Sequence, residues 1–119
     1  MIANHYRTQL SNLNKEIIIN NKFPFILGGE HSITPGAIKP FAEKYEELVL
    51  LHFDAHADLR DEYNGEKFSH ASAIKRCLDF KNVKVVSFGI RNLSFEEMKF
   101  CLLYTSDAAD EGLGVDLGG

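Results

Sequence analysis

Apolar residues recur along the first twenty positions at Tyr6, Leu10, Leu13 and Ile17, a spacing that predicts an amphipathic helix over residues 3–21, ending in Asn20-Asn21. The pattern then changes. Residues 23–27 form a continuous apolar run into Gly28-Gly29, the profile of a strand buried in a parallel sheet. Pro24 near its start is tolerable, because a strand's first residues can forgo a ladder donor. Thr34-Pro35 opens a second helix reaching about Tyr45, with Pro35 suited to the first turn. Residues 48–53 read as a second buried strand and 54–67 as a polar loop. Residues 69–80 read as a helix with Ser69 at the N-cap. A third strand is expected over 83–88, ending at Gly89, and Ser94-Phe95-Glu96-Glu97 opens another helix with a capping-box pattern. Alternating helices and strands call for an α/β fold, a parallel sheet with helices on its faces. In such sheets ligands bind beyond the carboxyl ends of the strands, and the polar clusters of this chain fall at those ends.

The strongest cluster is His52-Phe53-Asp54-Ala55-His56-Ala57-Asp58. Asp54, His56 and Asp58 alternate, so if the extended geometry continues they share one face and converge on a metal. Two carboxylates and an imidazole suit Mn²⁺, Fe²⁺ or Zn²⁺ rather than copper or an iron–sulfur cluster. The plain alternative is a solvated acidic loop with a chance histidine. Gly28-Gly29-Glu30-His31-Ser32 ends the preceding apolar run; its glycines allow a sharp turn that brings His31 to the same sheet edge, where it can supply another nitrogen. A phosphate-cradling turn lacks support, since the chain has neither G-x-G-x-x-G nor a P-loop lysine. His70 stands at a helix start, where an imidazole can accept or deliver protons near a metal-bound water. His5 and His52 read as structural, Cys77 as a small core residue, and Arg91 as a residue lining the site or touching a partner subunit.

Composition narrows the class. The chain has 119 residues, 45% hydrophobic and 25% charged, near the average of a globular domain. No apolar run approaches the ~20 residues that span a bilayer, and the N-terminus lacks a secretory layout, so no membrane partner is expected. Two cysteines, Cys77 and Cys101, are too few for a disulfide framework, which points to a reducing compartment, the cytoplasm. Thirteen bases against seventeen acids, with no basic stripe, argue against nucleic acid.

GGEHSIT, then HFDAHADLRDEYNGEKFSHAS, then FGIRN, together resemble the ureohydrolase family of arginases, agmatinases and formimidoylglutamases, and bacterial agmatinases above all. The resemblance spans about residues 5–100. It implies part of a three-layer α/β/α domain with a mostly parallel sheet and two Mn²⁺ ions at its carboxyl edge. By resemblance His31, Asp54 and Asp58 would ligate one manganese, and Asp54 would bridge to the second, which His56 also holds. Asp58 and His70 would be the catalytic proton carriers. The implied reaction is attack of a metal-bridging hydroxide on a guanidinium carbon, releasing urea and an amine. For agmatine, a small guanidino substrate, that amine is putrescine, a polyamine. Arginase, guanidinobutyrase and formimidoylglutamase activities are the alternatives, as is a non-catalytic truncated metal-binding domain. Family members often form homo-oligomers.

The sequence also departs from the family pattern. A later D-x-D motif and a downstream glutamate are missing: beyond Phe100 the acids are Asp107, Asp110, Glu111 and Asp116, without a base, and these four account for the net charge of −4. Residues 1–100 are therefore expected to be a partial domain truncated at both ends. Residues 101–119 back-translate, in one frame, into strings resembling the adapters of transposase-based sequencing libraries, TGT CTC TTA TAC ACA TCT and GT GTA GAT CTC GGT GGT. They are expected to be a disordered, adapter-encoded tail outside fold reasoning. Resequencing across Phe100 from a transposase-free library is expected to continue the frame into a strand and D-x-D.

Overall fold

The computed structural model describes residues 2–109, with side chains over 4–103. Helix α1 (Ile2–Ile19) closes as its asparagine pair implies. Asn21 adopts a left-handed φ of 57°, and the Asn21 and Lys22 N–H groups donate to Ile18 and Ile17 carbonyls at 3.0 Å each. That is a Schellman closure with asparagine in the glycine position. The buried face of α1 is not the predicted apolar one. Tyr6 and Leu13 are exposed, and the buried positions are Arg7, Asn14 and Ile18. Each polar member is given a partner: Asn14 Nδ2 donates to the Ala37 carbonyl at 2.9 Å, and the Arg7 guanidinium lies 3.8 Å over the Phe68 ring.

Helix α2 (Thr34–Lys44) packs on α1, and Gly36 permits the contact. A Cβ at Gly36 would sit 2.6 Å from the Arg7 carbonyl oxygen, which belongs to backbone and cannot swing aside. Gly36→Ala is therefore expected to lose about 1–3 kcal/mol in urea unfolding, the usual range for overpacking.

The expected strand over 23–27 does not form. Among the described residues the sheet has two strands, β1 (Leu48–Phe53) and β2 (Val83–Phe88), parallel and in the register Leu48↔Val83 to Phe53↔Phe88. A run becomes a strand only when another chain segment takes its N–H and C=O groups, and β1 pairs only with β2. Phe23, Phe25 and Leu27 are consequently exposed, Leu27 at 88%. One face of the sheet is open as well: Val49, Leu51 and Phe53 are exposed, and the Phe53 and Phe88 rings stack at 4.8 Å.

The crossover from β1 to β2 contains the helix expected over 69–80, shortened and split. A 3₁₀ turn (His70–Ser72) runs into α3 (Ala73–Cys77), and turns carry the chain on to Phe80. Ser69 occupies the N-cap without a side-chain cap bond, its Oγ instead 3.2 Å from Ser72 Oγ. Cys77 is fully buried, and burial pushes its thiol from the ordinary value of about 8.5 up to about 12. A raised thiol keeps its proton in the folded state after the unfolded chain has lost it. Stability contributed by Cys77 is therefore complete below about 8.5 and falls as pH rises toward 12. Native protein is expected to leave Cys77 unlabelled by iodoacetamide near pH 8.5; rapid labelling there would contradict its burial.

After β2, α4 (Phe95–Ala109) starts with the capping box in place: Ser94 N–H donates to Glu97 Oε2 at 2.6 Å and Glu97 N–H to Ser94 Oγ at 3.3 Å. The helix passes the boundary expected at Phe100. The helix runs on to Ala109 with no glycine or proline to interrupt it, and Cys101 is buried. The remainder of that tail, 110–119, lies outside the described residues. Among the described residues no helix is long and apolar enough to cross a membrane.

Candidate metal centre

Asp54 leaves the end of β1 with its N–H bonded to the Phe88 carbonyl at 3.1 Å, so the ladder continues one step beyond the strands. Arg91 and Asn92 N–H groups both donate to the Ala55 carbonyl, and His56 pairs with Asn92. Gly89, at φ 82°, lets β2 turn beside this segment, where a Cβ would lie 3.3 Å from the Asp54 carbonyl oxygen. The extended alternation expected from Asp54 to Asp58 does not persist. Asp58 adopts a left-handed φ of 52°, a conformation aspartate tolerates better than most residues. That turn carries its side chain to His31.

The Asp58 backbone is held firmly. Its carbonyl accepts from the N–H groups of Ile74 and Lys75, both at 3.1 Å, which satisfies donors at the start of α3. The next N–H, of Leu59, donates to Glu97 Oε1 at 3.0 Å, and Arg60 N–H donates to the Ala71 carbonyl. His31 arrives from the other side on a 3₁₀ turn (His31–Ile33), where the Glu30 carboxylate accepts from Ser32 N–H at 2.8 Å and from the Ser32 hydroxyl. His31 Nδ1 lies 2.7 Å from Asp58 Oδ2 and 3.7 Å from Asp54 Oδ2.

Four residues, His31, His52, Asp54 and Asp58, each offer a ligand atom within 4.8 Å of the others. His56 stands to one side, its side chain 60% exposed, with Nδ1 3.2 Å from Asp54 Oδ1 and its N–H donating to the same oxygen at 2.8 Å. His70 is exposed and outside the group, its ring edge-on to Tyr63 at 5.5 Å, on a turn that packs against the His31 turn. Arg91 donates to the Gly89 carbonyl at 3.2 Å, and His5 packs on Tyr6. Two further participants emerge from the structure. His52 has the same strand parity as Asp54, which was the available signal; the Glu97 contact with Leu59 joins residues far apart in sequence and had none.

The charges are mutually dependent. The hydrogen bond to Asp58 raises the His31 pKa, with burial opposing and the charges of Asp58, Asp54 and Glu30 adding to it. Burial opposes ionisation of Asp54, but the His56 N–H and ring and the nearby His52 and His31 outweigh it and hold the carboxyl below its usual range. Burial lowers His52, against the pull of Asp54. These residues fit a divalent cation. Two carboxylates and an imidazole form a hard-to-borderline donor set, and a cation would take His31 in its neutral form, with the carboxylates ionised.

Residues 3–110 match the family model described as the arginase family. An agmatinase from Bacillus cereus is 43% identical over 81 residues, 67% of this chain and 28% of that protein. The agmatine ureohydrolase structure from Thermoplasma volcanium superposes with a TM-score of 0.73 at 33% identity, covering 82% of this chain and 32% of that one. An arginase structure from Medicago truncatula gives a TM-score of 0.77 at 29% identity, covering 83% of this chain and 32% of that one. The chain thus spans under a third of the length of these relatives. The match over nearly all described residues, on a parallel α/β framework whose strand ends gather His31, Asp54 and Asp58, places the chain in the arginase family.

Proposed function

We propose that this chain is part of a metal-dependent hydrolase of linear amidines, an agmatinase converting agmatine and water to putrescine and urea. The observation that carries the reading is the two-sided environment of one carboxylate. Asp54 turns Oδ2 toward His31 and Oδ1 toward His56, so it can serve two cations at once. His31, Asp54 and Asp58 would hold one Mn²⁺; Asp54 and His56 would contribute to a second. Bound Mn²⁺ ions supply Lewis-acid activation of water and stabilise negative charge developing at the reacting centre.

The chain's own groups orient and move protons. Asp58, fixed by α3 and by the Leu59–Glu97 bond, keeps Oδ2 at the site and would pass a proton to the leaving nitrogen. His70, on the exposed turn beside Tyr63, would exchange that proton with solvent. Substrate choice rests on the likeness to agmatinases. Urea release by the complete protein with Mn²⁺ tests it against arginine, guanidinobutyrate and formiminoglutamate, with agmatine expected to be turned over fastest. Urea from none of them would sink the reading.

A second reading applies to the 119 residues alone, favoured by the open sheet face of Val49, Leu51 and Phe53. A parallel sheet is stable when both faces are covered. By itself this chain is expected to bind Mn²⁺ weakly and release no urea.

A further inference from the structure

We propose that His52 is a positioning residue for the metal carboxylate Asp54, acting as a fixed N–H donor from the protein side of the site; this rests on the metal-binding reading above. His52 and Ser87 are direct partners in the β1–β2 ladder, and His52 Nδ1 lies 3.0 Å from Ser87 Oγ. The other ring nitrogen, Nε2, is buried, has no hydrogen-bond partner, and lies 3.5 Å from Asp54 Oδ2. The His52 side chain is 5% exposed, against 25% for Asp54 and 29% for His31. It is therefore the most deeply buried of the three.

The tautomer follows from the surroundings. A hydroxyl can donate or accept, so Ser87 accommodates either form. Asp54 cannot: a lone pair on Nε2 would face an acceptor-only carboxylate oxygen in a buried place, leaving both without a donor. With Ser87 donating to Nδ1, the proton sits on Nε2 and its dipole fixes which way Asp54 Oδ2 turns. Rigid anchorage on the sheet then fixes Oδ2, while the loop holds Oδ1 through the His56 N–H. Outer partners of this kind change metal affinity without touching the metal.

Histidine-selective ¹⁵N NMR of the full metal-free chain reads the tautomer directly. The proton is expected on Nε2; a proton on Nδ1 overturns the proposal, whatever the variants do. Mn²⁺ titration followed by EPR gives the second readout. His52→Leu, which keeps the volume apolar, is expected to weaken Mn²⁺ binding by roughly 10–100-fold. His52→Gln, whose amide N–H can occupy the Nε2 position, is expected to recover most of that loss. Unchanged affinity in His52→Leu, or equal losses in both variants with far-UV dichroism preserved, overturns it. Absence of Mn²⁺ binding by the complete wild-type protein would instead overturn the metal-binding reading, and the tautomer would still answer for His52.

Discussion

Asp54→Ala is expected to abolish manganese binding at both positions in the complete protein. One side chain offers an oxygen to each position. Oδ2 belongs to the group formed with His31, His52 and Asp58, and Oδ1 is the oxygen facing His56. Removing the carboxylate therefore takes a ligand from each side, and the loss should exceed the roughly 10–100-fold of an outer-shell change. The fold should survive. Asp54 is partly exposed, and its principal structural bond is the one accepted from His56 N–H at 2.8 Å, a contribution of about 1 kcal/mol. Dichroism and unfolding would establish that the variant folds; isothermal titration with Mn²⁺ would establish what it binds. Retention of both ions by Asp54→Ala would refute the bridging role. Retention of one would locate the site that depends on Asp54 alone.

The parts of this molecule legible in the sequence are those specified locally. Asn20-Asn21 ends α1 through its own backbone conformation, and Ser94 with Glu97 starts α4 through bonds spanning three residues. The two strands that pair, 48–53 and 83–88, are rich in apolar residues, and so is 23–27, which does not pair. An apolar run records a preference for burial, and only a neighbouring strand converts it into sheet. The α1 face was misread for a related reason. Arg7 and Asn14 are buried because Phe68 and the Ala37 carbonyl, far along the chain, receive them. At the site, His31, Asp54 and Asp58 were legible as residue types, but the route of convergence was not. Alternation along an extended strand was expected, whereas a left-handed turn at Asp58 brings it to His31. His52 reads as structural in the sequence, yet it shares a face with Asp54 by parity. Its neighbour Ser87 explains why the strand can bury it.

Glu97 carries the second large effect. Its side chain is 6% exposed, and its two oxygens take different partners: Oε1 accepts from Leu59 N–H at 3.0 Å and Oε2 from Ser94 N–H at 2.6 Å, with Arg60 Nε 3.9 Å away. One carboxylate thus starts α4 and ties it to the residue following Asp58. Glu97→Ala removes the cap interaction and leaves the Leu59 donor unpaired in a part-buried place, at about 1–3 kcal/mol for an orphaned group. Together these predict a loss of about 2–4 kcal/mol in urea unfolding, a large share of a small domain's stability. Glu97→Gln keeps one carbonyl oxygen, so it should satisfy a single N–H and lose roughly half as much. The two variants also separate support from stability. If Glu97 holds the Asp58 loop, Mn²⁺ affinity should fall in the order wild type, Gln, Ala, under conditions where all three are folded. Equal Mn²⁺ affinity across the three would confine Glu97 to capping α4. A stability loss below about 0.5 kcal/mol, typical of an ordinary surface substitution, would contradict the bonds to Leu59 and Ser94 themselves.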